Sequence, residues 1–331
     1  MPQLRQNPIT GDWVVIAPER AKRPSDFVVP KQEILASHSD CPFCLSGPAY
    51  QERVAGYETE RVYLTPNKYP AFIANPTEVS DRSITIKNNF YRARPATGGH
   101  DIVVIKDTNV SIMSFPKETW VALLTISQSR SLDFRHHRDV EITMPIYNHR
   151  PAAGASIDHP HAQLFATNTV PNQLTREVHS SFSYFERERR CVFCDLIHHE
   201  QEFRSRIIVE NDTFVAFTFY AARFPFEVWI LPKVHHDRFE TADSKVINDL
   251  SSLLPTIFER YDQTLNDPPL NFWIHSLPNS LDQAEYFHWH LEIAPRLTNY
   301  GGFELGSGVI IDIVSPEHAA EFLLVPMMKP A

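Results

Sequence analysis

Gly154-Ala155-Ser156-Ile157-Asp158-His159-Pro160-His161-Ala162-Gln163 decides the reading of this chain, because two imidazoles set two positions apart around a proline are difficult to explain as packing. In an extended segment, residues i and i+2 point to the same side. His159 and His161 therefore face one site, and Gln163 continues that face. Pro160 fixes its own φ and keeps His159 extended, so the pair is rigid before any ligand arrives. A histidine serves as base, metal ligand or nucleophile according to what its second ring nitrogen binds.

The residues around this stretch read as strands: Val140 to Tyr147 leads to Asn148 and the Gly154 turn, and Leu164 to Thr167 leads away. The site thus lies just beyond a strand, where a sheet holds it in place. The four cysteines form two C-x-x-C pairs, Cys41/Cys44 and Cys191/Cys194. That is the spacing of zinc ligands more than of a secreted disulfide framework; the rival is a thioredoxin-like redox pair.

Each pair opens a similar series. After Cys41 and Cys44 come an aromatic strand running into a loop (Tyr63 to Phe72), a strand (Asp101 to Ile105), a helix (Pro116 to Leu132) and the histidine stretch. After Cys191 and Cys194 come Phe214 to Tyr220, a strand from Phe226 to Leu231, a helix spaced by Val246, Leu250, Leu253, Leu254, Ile257, Phe258 and Tyr261, and His288-Trp289-His290. A duplicated α+β unit follows from this order. The polar, helix-like segment from Gln173 to Arg190 is the boundary, dividing an N-terminal half at 1–178 from a C-terminal half at 179–331. The second copy lacks the Pro and Gln of the first, which predicts that it lost the chemistry and kept a metal-binding or structural role.

Across 331 residues, 43% hydrophobic content supplies a substantial core. A formal charge of −9 argues against a broad nucleic-acid surface, which needs concentrated Lys and Arg. The amino terminus has no apolar signal-like run and no stretch is long enough to span a bilayer, so a cytoplasmic, membrane-free protein is expected. Arg20, Lys22 and Arg23 gather beside Pro24 as a candidate phosphate clamp or an ordinary solvated turn. Gly301 to Gly308 reads as a turn or a point of close ligand approach; it matches neither a dinucleotide fingerprint nor a P-loop. Ser315 and Pro316 mark the cap and first position of a final helix.

Arg5-x-Asn7-Pro8-x-Thr10-Gly11-x-Trp13-Val14, Arg20-Ala21-x-Arg23-Pro24, Cys41-Pro42-Phe43-Cys44, the His-Pro-His-x-Gln signature and Phe303-Glu304 together resemble the galactose-1-phosphate uridylyltransferase family, a branch of the histidine-triad superfamily. The resemblance implies a duplicated histidine-triad-like fold, two halves each with an antiparallel sheet and packed helices. It also implies a homodimer in which hexose contacts come from the partner subunit. The implied reaction is ping-pong: His161 attacks the α-phosphorus of UDP-glucose, and galactose 1-phosphate takes up the uridylyl group. Gln163 and Ser156 match the donors to the phosphoryl oxygens. Arg20, Arg23 and Asn148 match phosphate or nucleotide contacts, and Phe43, Asn67 and Tyr69 match the uridine pocket. Phe303 and Glu304 match substrate contacts at the end of the chain.

The same matching gives a first zinc to Cys41, Cys44 and His159, with Asn109 standing where a histidine is frequent. A neutral amide is a poor zinc ligand, which leaves a weak site, a water or His100 as substitute, or an empty site. For a second metal, zinc or iron, two sets overlap: Cys191, Cys194, His235 and His288, or Glu177, His275, His288 and His290. Two thiolates outcompete a carboxylate for zinc, which favours the first set. Two departures stand out. Arg150 replaces a usual glycine, and Gly306-Ser307-Gly308 replaces a hexose-binding glutamine, as in a sister group resembling ADP-glucose phosphorylase that transfers adenylyl. Adenylyl transfer is therefore the nearest alternative. A histidine-triad hydrolase would need a third histidine where Gln163 stands, and a zinc-stabilised binding module would need His161 to be incidental.

Overall fold

Apolar residues alternate with the site residues after Pro160: Ala162, Leu164 and Ala166 are buried on one face of their strand, and His161, Gln163 and Phe165 lie on the other. That alternation sets the sidedness of the whole molecule. The computed structural model describes residues 1–20, 41–74 and 93–325. Its first half comprises β1 (Gln3–Gln6), β2 (Trp13–Ile16), α1 (Pro48–Gln51), β3 (Val62–Pro66), β4 (Gly98–Ile105), α2 (Lys117–Arg135), β5 (Ile142–His149) and β6 (His161–Thr167). Helix α3 (Asn172–Glu188) spans the expected 178/179 boundary. The second half follows with α4 (Val192–Phe203), β7 (Ile207–Glu210), β8 (Phe214–Thr218), β9 (Val228–Pro232), α5 (Ser244–Leu265), β10 (Leu270–His275), β11 (His290–Pro295), α6 (Gly302–Ser307), β12 (Ile310–Asp312) and α7 (Pro316–Leu324).

The fold is α+β and duplicated. Each half contributes an antiparallel set, β3-β4-β6-β5 and β10-β11-β9-β8-β7, and β5 pairs with β10, so the two sets form one nine-stranded sheet. Strands β1, β2 and β12 make a separate three-stranded sheet. The halves correspond element by element. His161 opens β6 and His290 opens β11; β6 lies between β4 and β5 as β11 lies between β9 and β10. By that correspondence Gln163 matches Glu292.

Helices α2, α5 and α7 cover one face of the large sheet, with Trp120, Leu124, Phe258 and Leu323 in a common core. Arg130 of α2 donates to Asp101 of β4 at 2.7 Å. On the opposite face the second half is covered by α3 and α4 through Leu174, Val178, Phe193 and Leu196, while among the described residues the first half carries only the C-x-x-C loop and α1 over Tyr63, Ile102 and Val104. A cleft therefore stays open over β6. Close approach of β4 to its neighbours demands Gly98 and Gly99: Gly98 has φ +143° and a Cβ there would lie 2.0 Å from the Ala166 carbonyl, while one on Gly99 would lie 2.3 Å from the Phe134 ring.

The last helix begins as expected at Ser315, whose Oγ accepts from His318 N–H; α5 begins at Asp243, whose Oδ1 accepts from Val246 N–H. The Gly301 to Gly308 cluster is neither turn nor open backbone but helix α6. The Glu304 carboxylate accepts from Gly301 N–H at 2.9 Å, and Gly308 at φ +74° ends the helix. Among the described residues no helix is long and apolar enough to cross a membrane.

At the junction of the halves Tyr147 and Phe272 pair in register and stack, centroids 5.6 Å apart. Phe272→Ala is expected to cost about 3–5 kcal/mol, with both halves unfolding in a single transition; urea denaturation followed by fluorescence and circular dichroism checks it.

Candidate active site

His161 is 5% exposed, and its Nδ1 donates to the His159 carbonyl at 2.7 Å. The ring's one proton is thereby fixed on Nδ1, and Nε2 keeps its lone pair. Burial holds this imidazole below the usual histidine range, outweighing the carbonyl's opposite pull. His159 is turned the other way round: Nε2 donates to the Ile105 carbonyl at 2.7 Å, and Nδ1 lies 3.4 and 3.8 Å from the sulfurs of Cys41 and Cys44. The two histidines thus divide between a ligand role and a nucleophile role by the tautomers their backbone partners impose. Phe43 stands edge-on to His161, centroids 5.0 Å apart.

Tyr147 pairs with Ala162, which brings the next residue, Asn148, beside His161. The Asn148 Oδ1 accepts from Asn271 Nδ2 at 2.7 Å, so a residue of the second half orients it. Gln163 Oε1 accepts from His100 Nε2 at 2.9 Å. His100 accordingly serves Gln163; it is not a substitute ligand at the first thiol pair. The cleft beside His161 is lined by Asn148, His149, Arg150, Ile157 and Asp158.

Cys191, Cys194, His235 and His288 bring four donor atoms within 4.8 Å of one another, and Cys41, Cys44 and His159 bring three. A tetrahedron with bonds of about 2.0–2.3 Å has edges of roughly 3.3–3.8 Å. The Cys194 sulfur lies 3.5 Å from His235 Nδ1 and 3.7 Å from His288 Nδ1, so the set fits a tetrahedral metal ion. Cys194 carries the thiolate, drawn down to about 3 by the hydrogen bond from Cys191 and then by His235 and His288. Asn109 is exposed, with its backbone N–H on Asp107 Oδ1.

The two expected second sets do not share His288. It goes with the thiols, and Glu292 joins Glu177, His275 and His290 in a separate buried group. His275 Nδ1 lies 2.9 Å from Glu177 and 3.4 Å from Glu292, and Arg223 pairs with Glu292 and Glu227. That group offers donors to a cation, and Arg223 already brings a positive charge beside Glu292 and Glu227. Burial lowers the His275 imidazole's affinity for a proton, but Glu177 outweighs it and raises the pKa.

Arg20 ends an exposed 3₁₀ turn at Pro18–Arg20; Arg23 lies outside the described residues. Asn67 directs Nδ2 at the His100 ring, and Tyr69 is 80% exposed. Ser156 is exposed in the Gly154 turn. Phe303 and Glu304 lie on α6, away from the walls of the His161 cleft. Arg150 has φ +70°, the left-handed region that favours glycine, which accounts for the usual glycine there. Its guanidinium pairs with Asp267, which also accepts from His149 Nε2 at 2.6 Å. Burial opposes ionisation of Asp267, but these two partners prevail and hold its carboxyl at about 2. His149, Asp267 and Asn271 carry no motif in the sequence; only the pairing of β5 with β10 and the turn after α5 bring them to the site.

The model of the galactose-1-phosphate uridyl transferase N-terminal domain matches residues 1–171, and that of the C-terminal domain matches residues 177–311. The chain belongs to this family. Among its relatives, ADP-glucose phosphorylase of Arabidopsis thaliana is 31% identical over 97% of this chain and 92% of its own length. The galactose-1-phosphate uridylyltransferase of Thermotoga maritima is 26% identical over 98% of each. A crystal structure of Arabidopsis thaliana ADP-glucose phosphorylase with bound ADP-glucose superposes with a TM-score of 0.81 at 29% identity, covering 99% of this chain and 100% of the other.

Within this family member, Cys191→Ala is expected to remove one equivalent of bound metal and lower the thermal midpoint by about 5 °C or more. The remaining folded protein keeps its intrinsic chemistry. Metal analysis by plasma mass spectrometry beside calorimetry checks both, and unchanged metal content would contradict the assignment of these ligands.

Proposed function

We propose that this chain is a nucleotidyltransferase working through a nucleotidyl-histidine at His161, most simply a UDP-glucose:galactose-1-phosphate uridylyltransferase. The observation that carries the reading is the His161 Nδ1 to His159 carbonyl bond of 2.7 Å, which leaves Nε2 as a neutral nucleophile. In the first half-reaction Nε2 forms a bond to the α-phosphorus, and the bond to the leaving sugar 1-phosphate breaks. The Nδ1 proton stays with the His159 carbonyl throughout. In the second, a phosphate oxygen of the incoming hexose 1-phosphate displaces the imidazole.

Gln163 and Asn148 donate amide N–H groups to the phosphoryl oxygens as charge concentrates there, with Ser156 and Arg20 completing the anion's surroundings. Phe43, Asn67 and Tyr69 face the base. Cys191, Cys194, His235 and His288 would hold zinc, or iron as the alternative, and secure the second half, and a zinc on Cys41, Cys44 and His159 would keep His159 turned toward the thiols. Thiols grouped as metal ligands suit a reducing, cytoplasmic setting. A homodimer is supported by α6, which has no buried residue and exposes Phe303 by 56% and Leu305 by 75%.

Adenylyl transfer from ADP-glucose is a second reading, favoured by the 31% identical phosphorylase and by Gly306-Ser307-Gly308 at the end of α6. Intact-protein mass spectrometry after incubation with UDP-glucose or ADP-glucose, quenched without acid, separates the two. A uridylyl or adenylyl mass increase, absent in His161→Ala with its metal content intact, is the expected result. Gln163→Ala is expected to slow turnover by about 10²–10³-fold. An unmodified wild-type protein with both sugars would overturn the mechanism.

A further inference from the structure

We infer that His100 is a positioning residue that aims the Gln163 amide N–H at the reacting phosphoryl group. The inference rests on the nucleotidyl-His161 reading and adds a residue to it. His100 sits on β4 directly opposite Phe165 in the β4–β6 register, with Gln163 its diagonal neighbour two residues before Phe165. Its ring stacks on Phe165, with centroids 3.9 Å apart and planes 28° apart, and the residue is 8% exposed.

The tautomer follows from its neighbours. The backbone N–H of Ala71 can only donate, and it points at His100 Nδ1 from 3.3 Å. A proton on Nδ1 would face that N–H, so the ring's proton resides on Nε2. Asn67, whose Oδ1 is occupied by Tyr69 N–H, turns its amide to the same ring, 3.1 Å from Nε2 and 3.4 Å from Nδ1, so the Ala71 N–H is the contact that sets the tautomer. Nε2–H then donates to an acceptor 2.9 Å away on Gln163, which identifies that atom as the carboxamide oxygen. The Gln163 NH₂ is thereby left on the opposite side, and it meets no partner among the described residues. A free glutamine would sample both flips, and in one of them its oxygen would face an anionic phosphoryl group. The ring of His100 removes that flip before substrate binds.

Rapid-quench mass spectrometry of the His161 adduct tests this. His100→Leu is expected to slow adduct formation by about tenfold to a hundredfold, with the half-saturating nucleotide-sugar concentration within about threefold of wild type. His100→Gln, which restores an N–H donor, recovers most of the rate. In a Gln163→Ala background His100→Leu costs nothing further, because the group it positions is gone. Should His100→Leu fail to fold, His100→Phe keeps a flat ring on Phe165 without the N–H and carries the same expectation. Wild-type rates in the His100 variants, or an equal loss in the Gln163→Ala background, would overturn the inference while leaving the adduct mechanism standing. No adduct in wild type would overturn both.

Discussion

The pairing of β5 with β10 is the constraint on which the molecule depends. Each half has its own antiparallel set, but neither has a second covered edge at this point until the other supplies one. The seam runs Trp273–Ile146, Phe272–Tyr147, Asn271–Asn148, Leu270–His149. Tyr147, Leu270 and Phe272 bind the halves through the core beneath α2 and α5, and Asn148 and Asn271 reach the cleft on the opposite face. Alternation within two short strands therefore gives one interface both tasks, cohesion below and orientation above.

The site built on that seam works by settling proton positions in advance. His159 and His161 have opposite tautomers because one carbonyl, of Ile105, takes Nε2–H and another, of His159, takes Nδ1–H. Asn148 and Gln163 each have the carboxamide oxygen engaged, by Asn271 and His100. Asn148 and Gln163, the two carboxamides nearest His161, are neutral, which suits a ligand that brings its own negative charge. Buried neutral donors already in place need no reorganisation when charge develops.

Much of this was legible in the chain. The His-Pro-His-x-Gln stretch, the two C-x-x-C pairs and the repeated order of elements are local patterns, and they led to the duplicated α+β fold and to His161. Ser315-Pro316 gave the start of α7 for the same reason, since a cap is a short-range signal. What escaped depends on residues far apart in sequence. Asn271 lies 123 positions from Asn148, and Asp267 lies 117 from Arg150. The partition of His288 and His290 between two donor groups hangs on strand pairing: Glu292 faces Trp229 and Trp273 across β11, a register that spacing cannot reveal. The short helix α6 was hidden because its glycines read as turn, while the stabilising partner of Gly301 N–H is a side chain three residues on.

The correspondence of His290 with His161 and of Glu292 with Gln163 has a further meaning. At the same station of the scaffold one half presents an amide and the other a carboxylate paired with Arg223, and Trp229 lies flat on His290 at 4.7 Å. Duplication here has produced specialisation. The second copy fills that station with stacked rings and an ion pair between Glu292 and Arg223, and its packed interior supports its sibling. The more open a catalytic surface must be, the less it can contribute to holding itself together, and this chain resolves that conflict by giving openness and cohesion to different descendants of one ancestral unit.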